Sequence, residues 1–94
     1  MRIFKYQLPA EFEFELKMPK SAEVLCVQMQ GNTPCIWARV VGDTIDLETR
    51  TFVIVGTGNE FDDEGYFYIG TFQESNYNLV WHLFELWDLN PPIE

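Results

Sequence analysis

Histidine, cysteine and basic residues are all scarce in this 94-residue sequence, which has one His, two Cys and six Lys or Arg. Each shortage excludes something. The lone His82, set between Trp81 and Leu83, leaves no histidine cluster to ligate a transition metal. It reads as a half-buried packing residue with one hydrogen bond. Cys26 and Cys35 are not at metal-ligand spacing, and read as two free, largely buried thiols in a reducing compartment. Against six cations stand fifteen Asp and Glu, a net charge of −9 that repels phosphate backbones and anionic lipid. Neither direct nucleic-acid binding nor membrane attachment is therefore expected. Ser21 and Ser75 do not stand in nucleophile-elbow settings, so the sequence predicts a protein that is not an enzyme and carries no cofactor. No apolar run reaches the length of a signal peptide or a membrane span, which predicts a protein that stays where it is made.

Aromatic residues, by contrast, are plentiful at 16%, with eight Phe, four Tyr and three Trp. Large rings let a small core remove much area from water, so a folded domain is expected over residues 1–94. Its class follows from alternation. In Glu11–Met18, Phe12, Phe14, Leu16 and Met18 fall on one parity, while Glu11, Glu13, Glu15 and Lys17 fall on the other. Successive strand side chains point to opposite faces, so this segment buries one face and wets the other. Pro19 ends it. Further strands are read at residues 2–8, 23–30, 34–41, 48–57, 66–73 and 78–87. Residues 52–55 are apolar on both parities, which suits a central strand. Gly70 inside the sixth strand marks a bulge or a close backbone approach. Gly31-Asn32 reads as a two-residue hairpin turn that sets Val27 opposite Ile36 and Cys26 opposite Trp37. The seven short strands, mostly antiparallel, predict an all-β sandwich or small barrel.

Three features suggest where such a domain could bind something. Glu11, Glu13 and Glu15 form a ridge of carboxylates about 7 Å apart along a strand, close to the phosphate spacing of one nucleic-acid strand. They are a candidate decoy for a basic cleft, or simply the wet face of an amphipathic strand. The loop from Gly56 to Gly65 carries four carboxylates, Asp62 and Asp63 among them. Such a loop suits a hard cation, but its spacing fits no EF-hand, so a solvated hairpin loop without metal is the expectation. Gly56 and Gly58 could turn backbone N–H groups towards a nucleotide, with Tyr66 or Trp37 stacking on the base. Trp87, beside Pro91 and Pro92, is expected to be exposed or interfacial, and self-association there or through an edge strand is a further reading.

Several segments carry a family likeness. Met1–Tyr6, Met18-Pro19-Lys20, Val27–Gln30, Thr33–Ala38, Glu48–Phe52, Val55–Gly58, Tyr68–Phe72 and His82–Glu85 together resemble a family of small proteins of tailed bacteriophages and prophages. The resemblance implies a viral gene product in the host bacterial cytoplasm, and it brings no catalytic or binding residues with it. The expectation is an acidic accessory protein that binds a host protein as a modifier or inhibitor, with nucleic-acid mimicry as one mode. The alternatives are a small-ligand domain of nucleotide-binding type and a minor virion component.

Overall fold

The structure is a computed structural model that describes residues 1–87. Seven strands run β1 (Arg2–Gln7), β2 (Glu13–Pro19), β3 (Glu23–Gln30), β4 (Thr33–Val40), β5 (Leu47–Gly56), β6 (Tyr66–Glu74) and β7 (Leu79–Leu86). They form two antiparallel sheets, a three-stranded one in the order β1-β4-β3 and a four-stranded one in the order β2-β5-β7-β6. The chain is all-β and builds the two-layered arrangement of a small sandwich.

Hydrophobic parity decides which face turns inward. Phe14, Leu16 and Met18 of β2 face Phe52 and Ile54 of β5, Leu83 of β7 and Phe72 of β6, and the three-stranded sheet closes over them with Val27, Ile36, Ala38 and Val40. Phe52, Met18, Ile36 and Leu83 are fully buried. Each contributes about 1.5–3 kcal/mol relative to exposure. Phe14 and Phe52 are opposite each other across β2 and β5, and their rings stack with centroids 5.6 Å apart. The β5 segment, apolar on both parities, lies between β2 and β7, a central position.

The hairpin register follows from its turn. Gly31 takes φ +62°, a left-handed value that glycine adopts without strain, and Gln30 pairs with Thr33 across it. Cys26 then pairs with Trp37 and Val27 with Ile36. At Gly70 a bulge and a close approach coincide. The register shifts between Tyr68 and Gly70, and a Cβ on Gly70 would sit 2.8 Å from Val27 Cγ1 of the opposite sheet.

One face assignment changes. Phe12 does not share the buried face of Phe14, because β2 begins at Glu13 and Phe12 lies in the bend before it, 67% exposed. Its carbonyl accepts a hydrogen bond from Ile54 N–H at 2.7 Å, and its ring rests on Trp81, centroids 5.7 Å apart. The alternation of residues 11–18 therefore overstates the strand by two residues. The seventh segment is a strand, and the Pro91-Pro92 tail beyond it lies outside the described residues.

Candidate functional site

The wet parity of β2 continues across the outer face of the four-stranded sheet. Glu13 pairs with Val53, Val53 with Phe84, and Phe84 with Tyr68, so one row runs from a carboxylate through two apolar side chains to a phenol. The next row along is Val55, His82 and Thr71. Val53, Val55, Phe84 and Tyr66 are half-buried, and Tyr68 is 57% exposed. Glu13 and Glu15 border this face on the edge strand β2, where like charges also discourage another strand from pairing. Glu11 lies in the bend before β2, so the carboxylate repeat along the strand is Glu13 and Glu15 alone.

Aromatic rings cluster at the far side. Phe61, from the loop between β5 and β6, folds back with its ring 5.1 Å from Tyr66 and 5.0 Å from Phe84, and Tyr68 meets Phe84 at 5.6 Å. The tilted and edge-on geometries suit the quadrupoles of such rings. Beside the cluster, Gly56, Thr57, Gly58, Asn59, Asp63 and His82 line a shallow recess of about 380 Å³. Trp37 does not join it. It lies on β4 of the other sheet, paired with Lys5 and Cys26.

His82 is held at both ring nitrogens, not one. Thr57 Oγ1 is 2.8 Å from Nε2, Thr71 Oγ1 is 2.9 Å from Nδ1, and Tyr68 OH continues the chain 2.5 Å from Thr71 Oγ1. A neutral ring donates at one nitrogen and accepts at the other, and a threonine hydroxyl serves either role. The chain therefore fixes the ring across β6, β7 and the loop after β5. Sequence spacing carries no trace of it, because the three partners are 11 to 25 residues away.

The carboxylate loop is ordered by its own backbone. Asp62 Oδ1 accepts from Glu64 N–H at 3.2 Å, and Asp63 C=O accepts from Tyr66 N–H at 3.0 Å. Gly58 and Gly65 take φ +88° and +85° at its corners. Asp62 and Asp63 are both exposed. Among the described residues no three His, Cys, Asp or Glu side chains gather as a metal site. Trp87 N–H bonds Gly65 C=O at 2.9 Å, which puts its 63% exposed side chain at the same end as these carboxylates. Cys26 and Cys35 are both free thiols. No described helix is long and apolar enough to cross a membrane.

These features define a small β-sandwich whose larger sheet presents an aromatic outer face with carboxylates beside it. The chain belongs to the family described as a domain of unknown function (DUF7352), whose model matches residues 1–94. No curated protein and no solved structure matches it.

Proposed function

We propose that this protein is a small acidic binding module that docks a basic protein partner on the outer face of its four-stranded sheet. The observation that carries this is the row Glu13, Val53, Phe84 and Tyr68, an apolar centre flanked by a carboxylate and a phenol. Interfaces of this kind draw affinity from aromatic anchors and draw rate and orientation from charge at the rim. The net charge of −9 favours a partner with a complementary basic surface. Asp63 in the lining of the Gly56–Gly58 recess would repel a nucleotide's phosphates, which supports a protein partner over a nucleotide. On this reading, and on the family likeness, the protein is a phage product that modifies or inhibits a host factor in the bacterial cytoplasm. Two copies meeting through Trp87 is the competing use of the exposed rings.

The test is capture from bacterial lysate with the wild-type chain, Glu13→Lys/Glu15→Lys and Tyr68→Ala in parallel. Both residues of the charge reversal are exposed, so the fold tolerates it. One bacterial protein held by the wild type and lost from both variants is the expected result. Equal retention by the charge-reversed chain would sink the reading.

A further inference from the structure

We propose that the cleft at one end of the sandwich is a binding site for an organic cation, a primary ammonium or guanidinium group on an aliphatic stem. It lies between the sheets and apart from the outer face. The β1–β2 connection and the β3–β4 turn come together there against the ends of β5, β6 and β7. Its volume is about 460 Å³, in the range of small-ligand sites.

The lining divides by chemistry. Leu8 and Phe72, both buried, and Ile54 make an apolar floor suited to methylene groups. Trp81 and Phe12 stand side by side, rings tilted at 49° with centroids 5.7 Å apart. Ring faces attract a cation, indole most strongly. Phe12 is otherwise hard to account for, since a large ring left 67% exposed beside a cleft gains little until something covers it.

Glu74 decides the sign of the ligand. Its Oε1 accepts the Trp81 indole N–H at 2.6 Å, which pins the carboxylate within the cleft lining. An ionised carboxylate has about four acceptor positions, and this bond takes one. No described Lys, Arg or His lies at ion-pair distance from Glu74 or from Glu11, which lines the same cleft. Glu85, which is more deeply buried, shows the contrast, because Arg50 occupies both of its oxygens. A half-buried carboxylate held by an indole, in a cleft that two rings also line and without a counter-charge, is complementary to a cation that arrives from outside. An anion would meet two carboxylates, and a neutral apolar group would strip water from Glu74 and return nothing.

The measurement is a titration of ¹⁵N-labelled protein at low ionic strength, followed at the Trp81 indole N–H, with Trp37 and Trp87 as internal references. The probes are spermidine, N-acetyl-arginine methylamide and, as a neutral control, n-pentanol. A saturable shift at Trp81 with at least one cation and none with pentanol is expected. Glu74→Gln should weaken it about tenfold. That variant keeps an oxygen for the indole N–H, so the cleft survives. Phe12→Ala, at an exposed position, should weaken binding with Tm unchanged. Tighter binding of spermidine identifies a free polyamine as the source of the cation, and tighter binding of the arginine derivative identifies a partner's side chain. No saturable shift with either cation, or equal affinity in Glu74→Gln, overturns the site.

Discussion

Arg50 and Glu85 meet as a two-point ion pair inside the protein, Nε to Oε2 at 2.5 Å and Nη2 to Oε1 at 2.9 Å. The third guanidinium donor, Nη1, reaches Ala22 C=O at 2.6 Å, so one side chain ties β5 to β7 and to the connection between β2 and β3. The side chains are 14% and 5% exposed. The hydrogen bond to Glu85 holds the Arg50 guanidinium above its ordinary pKa, against the opposing effect of burial.

Breaking such a pair from one side leaves the other charge buried without a partner. Glu85→Leu is therefore expected to cost about 3–5 kcal/mol, and Arg50→Met/Glu85→Leu to recover a large part of it. Urea denaturation of the wild type and the two variants measures both. A Glu85→Leu loss below about 1 kcal/mol would mean that water reaches the guanidinium and that the pair behaves as a surface one.

The strands were legible because each carries period-two alternation or an apolar run between turn residues, and Gly31-Asn32 was enough to set a register. The pair was in principle legible too. Arg50 shares parity with Phe52 and Ile54, and Glu85 shares parity with Leu83, so opposite charges sit on the buried faces of two strands. Alternation alone cannot say that the two strands are neighbours. Phe12 misled for the converse reason, since its parity was right but the backbone bends before β2. Glu13 and Glu15 could be placed on a wet strand face, whereas their apolar neighbours Val53 and Phe84 come from distant strands. The cleft was out of reach altogether, because Phe12, Glu74 and Trp81 come from three separate segments that meet only once β2, β5, β7 and β6 pair in one sheet.

Tyr6 makes stability depend on alkaline pH. Burial raises its hydroxyl above the ordinary 10.0, with the Arg50 charge pulling less strongly the other way. A raised value means that the folded chain holds the proton more tightly than the unfolded one. The contribution is thus complete below pH 10 and is lost as pH rises through the folded value. Tyr6→Phe should flatten the decline of stability above pH 10, and leave its neutral-pH slope unchanged. Urea midpoints from pH 8 to pH 11 provide the comparison, and parallel curves would exclude Tyr6 as a source of the decline.

The two thiols should differ in reactivity. Cys35 is fully buried, its Sγ 3.6 Å from Thr33 C=O, while Cys26 is half-buried beside the bulge at Leu25. Alkylation needs an accessible thiolate. Iodoacetamide is expected to modify Cys26 in the native protein and Cys35 only in denaturant, as read by intact mass and peptide mapping. Equal rates would show that the β3–β4 ladder opens well below the global unfolding free energy.

Gly70 of β6 lies close against Val27 of β3 where the two sheets face each other. An alanine Cβ at position 70 would lie 2.8 Å from Val27 Cγ1 and 3.8 Å from Val27 N. Val27 is 4% exposed and β-branched, so its χ1 has little room to turn away. Gly70→Ala is therefore expected to cost about 1–3 kcal/mol by overpacking. Val27→Ala removes the clashing methyl, at the separate cost of a cavity. If the contact is what demands glycine, Gly70→Ala/Val27→Ala will be less destabilised than the sum of the single variants, with a coupling of at least about 0.5 kcal/mol. Additive losses would assign the requirement to the other feature found there, the bulge at Ile69. In that case the glycine serves the bend of β6, and the spacing of the sheets is set by the larger side chains around it.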